Sequence, residues 1–265
     1  MPTPNMTTLH IERREPALGA TVHDLDVSTL DDDTFTAVHA AFLEHHVLAF
    51  RDQDITPEQQ LEFAARWGRI SHHPYVPSLD GYPGIMEIYQ VTGITETWHA
   101  DTTHVAAPPK ITMLMARELP AVGGDTLFAN MHRAYNELSD GLRTVVDDLR
   151  AIHYGTELAA EAGVDAKAVT HSHPVAIRHP ETGRRTLFVN DNYVRHFDGW
   201  TPEESRPLLT FLESRAERPE YQYRHVWKPG DLVMWDNRSV QHRVVHDYEG
   251  PRYLHRITLE GDPLE

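Results

Sequence analysis

Apolar residues along this chain fall in short runs separated by turn-forming residues, with a few stretches at helical spacing. Leu9-His10-Ile11-Glu12-Arg13 alternates at the two-residue period of a half-buried strand, and Gly19-Ala20-Thr21-Val22 predicts a second. Cap-type residues from Ser28 to Asp33 precede Ala37, Ala40, Ala41 and His45, so residues 33–46 read as a helix. Val47 to Arg51 is a short buried strand, and Thr56-Pro57-Glu58-Gln59 opens a second helix that ends near Gly68. Prolines, glycines, His72 and His73 make residues 71–84 a loop. Ile85 to Tyr89, Ile111 to Arg117 and Thr126 to Ala129 read as strands, and Met131 to Arg150 as one helix. Residues 155–170 are polar and rich in Ala and Glu, which predicts a surface helix or a mobile flap. Val175-Ala176-Ile177-Arg178 and Thr186 to Val189 flank a hairpin turn, and Pro202 to Arg215 is helical. Three strands close the chain: Tyr221 to Val226, Asp231 to Trp235 and Tyr253 to Leu259.

Short strands, frequent turns and no βαβ alternation predict a mainly β fold with flanking helices, of the double-stranded β-helix or jelly-roll kind. The expected organisation is a flexible tail over residues 1–8 and a single domain over 9–265, with no linker between them. No apolar run approaches the roughly 20 residues of a membrane span, and no secretory signal opens the chain, so a cytoplasmic protein is expected.

Charge narrows the partners. The net charge is −16, from 40 acidic and 24 basic residues, which argues against binding nucleic acid or an anionic membrane surface. A pocket for an anion must then create positive potential locally, which makes individual arginines informative. The chain has no cysteine, so a metal site must be built from its 19 histidines and from carboxylates.

The stretch with the strongest chemistry is Trp98-His99-Ala100-Asp101, followed by Thr102, Thr103 and His104. On an extended strand His99 and Asp101 point to one face, and one more His would complete a two-His-one-carboxylate set of the kind that holds non-haem Fe(II). His225, His242, His246 and His255 are the candidates, with His242 at the head of an alternating stretch. Read alone, Gly123-Gly124-Asp125-Thr126 is compatible with a plain turn, and Arg252 and Arg256 with solvated surface.

Taken together and in order, Trp98-His99-Ala100-Asp101, Gly123-Gly124-Asp125-Thr126, Trp235-Asp236-Asn237-Arg238 with Gln241-His242, and Arg252 with His255-Arg256 resemble the taurine dioxygenase family. That family comprises Fe(II)- and 2-oxoglutarate-dependent dioxygenases and includes the 2,4-dichlorophenoxyacetate dioxygenases. The resemblance implies that His99, Asp101 and His242 bind Fe(II), and that Arg252 and Thr126 hold the distal carboxylate of 2-oxoglutarate. It implies that Arg256 and His73 hold the anionic group of the primary substrate, with Thr95, Thr102, His104 and Tyr193 lining the rest of its pocket. The implied reaction consumes O2, decarboxylates 2-oxoglutarate to succinate and hydroxylates a C–H bond. Thr95 and Val76 stand where taurine's amine is held by Asn and Tyr, so the expected substrate is another small anion: a sulfonate, a sulfate ester or an aryloxyalkanoate. The rival readings are a tailoring hydroxylase or desaturase with the same iron site and a non-catalytic jelly-roll binding protein. Family precedent also implies a homo-oligomer, a dimer or a tetramer.

Overall fold

The structure, a computed structural model, describes residues 8–72, 76–90, 97–155, 163 and 169–265. Its largest unit is an eight-stranded sheet. The strands are β1 (His10–Arg13), β2 (Ala20–His23), β3 (Val47–Phe50), β4 (Ser78–Leu79), β5 (Tyr82–Gln90), β6 (Ile111–Glu118), β14 (Leu232–Asp236) and β16 (Arg252–Leu259), in the order β1-β2-β3-β14-β6-β16-β5-β4. A three-stranded sheet has β7 (Thr126–Asn130) between β13 (Gln222–His225) and β15 (Val240–Val244). A second three-stranded sheet has β8 (Arg150–Tyr154) between β12 (Val194–Phe197) and β9 (Thr170–Pro174), and β10 (Ala176–Arg178) pairs with β11 (Arg185–Leu187). The helices are α1 (Asp32–His45), α2 (Pro57–Trp67), α3 (Met131–Asn136), α4 (Asp140–Asp148) and α5 (Pro202–Glu213).

Period-two alternation lets single strands serve two cores. Leu48 and Phe50 of β3, and Leu232 and Met234 of β14, pack with Phe42 of α1 and Phe63 of α2 on the outer face of the large sheet. Their neighbours Val47, Ala49, Val233 and Trp235 turn inward and meet Phe128 of β7, Tyr223 of β13 and Val240 of β15. The inner cluster therefore lies between the two sheets, the sandwich of a jelly roll. A third core, with Val146, Leu209 and Leu212, covers the back of the small sheet with α3, α4 and α5.

Several expectations need correction, among them the loop over 71–84, which contains β4 and the start of β5. Met131 to Arg150 is not one helix: α3 ends at Asn136, and Ser139 starts α4 by accepting from the Leu142 N–H at 3.3 Å. Arg150 already belongs to β8, because its backbone pairs with Pro174. One βαβ crossover does exist: β2 and β3 are parallel and joined through α1. Asp31 caps that helix by accepting from the Thr34 N–H at 2.7 Å, and His46 ends it in the left-handed region at φ 63°. The cap expected at Thr56, with Pro57 at the first helical position, is present at α2, and Gln59 closes it into a capping box. Most of the expected flap and of the N-terminal tail lies outside the described residues, although Thr170 is already in β9. Among the described residues no helix is long and apolar enough to cross a membrane.

Candidate active site

His99, Asp101 and His242 come together, and their ligand atoms all lie within 4.8 Å of one another. The convergence expected of the His-x-Asp stretch is present, but a regular strand does not produce it. His99 makes an isolated two-way backbone pair with His242, donating at 3.1 Å and accepting at 2.8 Å. The chain then leaves the sheet in a turn, with Thr102 in the left-handed region at φ 48°. His242 sits in mid-strand on β15, on the inward face with Val240, opposite Phe128. Of the other candidate ligands, His225 is committed to Asp231 at 3.0 Å and His255 to Arg117 at 3.1 Å.

The wiring around the three side chains turns His99 Nε2, His242 Nε2 and Asp101 Oδ1 toward one another, with Arg256 also reaching Oδ1. His99 Nδ1 lies 3.0 Å from the Thr97 carbonyl, which can only accept, so Nδ1 carries the proton and Nε2 presents a lone pair. Thr112 Oγ1 donates to Asp101 Oδ2 at 2.6 Å, so Oδ1 is the oxygen left facing His99 Nε2 at 3.8 Å and His242 Nε2 at 3.7 Å. Asn237 braces this arrangement. Its Oδ1 accepts from the Asp101 N–H at 3.2 Å and from Trp235 Nε1 at 3.1 Å, and its Nδ2 donates to Thr112 Oγ1 at 2.9 Å. Burial lowers the pKa of both histidines, His242 the further, which keeps them as neutral ligands. Burial alone would raise Asp101, but Arg256, the two imidazoles and the Thr112 hydrogen bond outweigh it and hold the carboxyl well below its usual range. Two neutral imidazoles and an ionised carboxylate on one side of a point suit a non-haem Fe(II), so the donor set fits that metal.

β16 brings the two arginines. Arg252 and Arg256 alternate with Tyr253 and His255, so both face inward. Arg256 Nη2 donates to Asp101 Oδ1 at 2.8 Å. Arg252 is 1% exposed and forms no ion pair among the described residues. Its Nε donates to the Gly124 carbonyl at 3.0 Å, and its Nη2 lies 3.4 Å from Thr126 Oγ1. Burial pushes its pKa down to about 10, so it remains charged at neutral pH. A buried, unpaired guanidinium calls for an anion, and the distal carboxylate of a dicarboxylate matches it. Thr126 Oγ1 accepts from Trp227 Nε1 at 3.0 Å, which leaves its own proton free to donate to the same anion. Gly123 and Gly124 have φ of 80° and 72°, and a Cβ on Gly123 would stand 2.5 Å from the Asp247 carbonyl oxygen; this turn therefore requires glycine.

The remaining predicted residues divide in two. Tyr193 Oη accepts from the Thr102 N–H at 3.2 Å, its ring stacks on His104 at 5.4 Å, and burial pushes its hydroxyl up to about 12. Thr102, His104 and Tyr193 thus form one wall beside Asp101. His73 and Thr95 lie outside the described residues. Sequence reasoning missed Thr112 and the role of Asn237. The signal for Thr112 was a polar residue inside the apolar run Ile111 to Ala116.

Comparison with known proteins agrees with this geometry. Residues 10–258 match the model of the family described as taurine catabolism dioxygenase TauD, TfdA family. The chain is 36% identical to an alkylsulfatase of Acinetobacter baylyi, covering 96% of this chain and 86% of that protein. It is 34% identical to an alpha-ketoglutarate-dependent sulfate ester dioxygenase of Pseudomonas putida, covering 98% and 92%. The crystal structure of a taurine dioxygenase from Burkholderia xenovorans superposes with a TM-score of 0.87 at 34% identity, over 97% of this chain and 90% of that one. The chain belongs to the TauD, TfdA family and is an Fe(II)/2-oxoglutarate-dependent dioxygenase.

Proposed function

We propose that this enzyme hydroxylates a small organic anion, with sulfate esters first among the candidate classes, then sulfonates and aryloxyalkanoates. The observation that carries the reading is Arg256: an inward guanidinium 2.8 Å from Asp101 Oδ1, on the face of β16 that also carries Arg252. In this reading His99, Asp101 and His242 hold Fe(II), which when bound supplies the activation of O2. Arg252 and Thr126 fix the distal carboxylate of 2-oxoglutarate. Arg256 receives the substrate's anionic group and sets which carbon stands at the reacting point. His73 and Thr95 belong to the same proposal as substrate contacts. Thr102, His104 and Tyr193 shape the wall, with the Tyr193 phenol staying protonated at neutral pH.

The oxygen balance follows from the coupled reaction. One oxygen atom ends in succinate as CO2 leaves, and the other ends in the new hydroxyl. If the hydroxylated carbon carries a sulfate ester, the product collapses to an aldehyde and free sulfate. The names of the two sulfate-directed relatives support placing that class first.

The test is succinate release with Fe(II), ascorbate and 2-oxoglutarate across alkyl sulfates, alkyl sulfonates and aryloxyalkanoates. Strong stimulation by alkyl sulfates supports the reading; uniform slow background release sinks it. Arg256→Leu should raise the substrate KM about 100-fold while changing the 2-oxoglutarate KM little. The opposite pattern would exchange the roles of Arg252 and Arg256.

A further inference from the structure

A fourth group shares the corner formed by Arg252, Thr126 and Gly124. The Oη of Tyr248 is buried and has no hydrogen-bond partner. Buried hydroxyls are normally paired, so an unpaired one beside a ligand pocket points to a partner that arrives with the ligand. Tyr248 lies in the connection from β15 to β16, four residues before Arg252. Its Cδ1 and the Cδ of Arg252 both come within 3.3 Å of the point where a Cβ on Gly124 would stand. The tyrosine ring and the arginine stem therefore meet at the same glycine, whose carbonyl holds Arg252 Nε. Burial raises the Tyr248 hydroxyl above its ordinary range and the Arg252 charge works against that rise, so the phenol is a protonated donor at neutral pH.

We propose that Tyr248 is a third anchor for the distal carboxylate of 2-oxoglutarate, donating its hydroxyl to a carboxylate that Arg252 and Thr126 also hold. The proposal rests on the reading above that this corner takes the co-substrate. The chemistry is complementary. A carboxylate accepts several hydrogen bonds, and the Arg252 Nε is already committed to Gly124, so a further donor completes the set. Gly124 is then the residue whose missing side chain lets arginine and tyrosine approach the same anion.

The experiment is calorimetric titration of the Mn(II)-loaded enzyme with two ligands. One is 2-oxoglutarate. The other is 2-oxopentanoate, which keeps the 2-oxo acid head and replaces the distal carboxylate by a methyl group. Tyr248→Phe should weaken 2-oxoglutarate about tenfold and leave 2-oxopentanoate within about twofold. Unchanged affinity for 2-oxoglutarate, or an equal loss for both ligands, overturns the proposal. Arg252→Gln in the same titrations tests the reading beneath it, with an expected selective loss of about 100-fold for 2-oxoglutarate. If Arg252→Gln shows the selective loss and Tyr248→Phe does not, only the role of Tyr248 falls. If neither does, the assignment of the corner falls with it.

Discussion

His99, Asp101 and His242 form one buried cluster of imidazoles and a carboxylate; His46, His132, His179 and Asp236 form another, next in sequence to Asn237. The residue types are the same and the wiring is opposite. Around Asp101, Thr112 occupies the outer oxygen, while Oδ1 faces both imidazoles and, among the described residues, takes a single hydrogen bond, from Arg256 at 2.8 Å. Around Asp236, His179 Nε2 at 2.8 Å and Arg238 Nη2 at 2.7 Å take Oδ2, while Arg238 Nε at 2.8 Å and its N–H at 2.9 Å take Oδ1. His46 Nε2 accepts from Arg184 at 3.0 Å, and His132 Nδ1 donates to the Arg185 carbonyl at 2.7 Å. The second cluster engages both oxygens of Asp236 and so locks the Asp236-Asn237-Arg238 turn, from which Asn237 reaches Thr112 and the Asp101 backbone. Composition does not separate a metal site from a structural network; the direction of each lone pair does.

Paired substitutions break the comparison most sharply. Asp101→Ala should abolish Mn(II) binding and iron-dependent succinate release while the protein stays folded. Asp236→Asn should cost about 3–5 kcal/mol of stability, because it leaves Arg238 buried without its main partner. Mn(II) affinity in the protein that remains folded should change far less. Urea unfolding and metal titration of both variants read the two effects, and a swap of outcomes would mean that the clusters have been assigned the wrong way round.

The pH dependence sharpens the contrast. Burial pushes His46 down to about 3 and His132 to about 4, whereas both protonate near 6.5 in the unfolded chain. Between those limits the unfolded state binds more protons, so stability is fully present above pH 6.5 and declines as pH falls toward 4. At pH 5 each imidazole should account for about 2 kcal/mol of the loss relative to pH 7.5. Replacing His132 with Phe should flatten that slope in urea melts, and an unchanged slope would place the loss elsewhere. The smallest effect belongs to Thr112→Val, which releases Asp101 Oδ2. Mn(II) should then bind about tenfold more weakly with the ligands all still present. Unaltered affinity would show that Arg256, 2.8 Å from Oδ1, is enough to orient the carboxylate.

Much of this site was legible because it is written at short range. His99 and Asp101 are two residues apart, Gly123 to Thr126 is contiguous, and the even spacing of Arg252 and Arg256 puts both on one face of a strand. Thr112 and Trp227 were not legible, because each acts on a residue that only folding brings near. The same limit explains the misread helix. Met131 to Arg150 has good helical composition, but Ser139 caps a new start and β9 captures Arg150. The parallel pair of β2 and β3 escaped notice because a single βαβ crossover leaves no repeating alternation.

The two inward arginines of β16 sit four residues apart on one extended strand, so their backbone anchors are separated by about 13 Å. Such a strand acts as a ruler. On the proposed function, with the co-substrate's tail fixed at one mark and the substrate's charge at the other, position along the substrate would be counted from its charged end. Molecules with tails of different length would then present the same carbon for oxidation, whereas moving the charge by one methylene would present a different one.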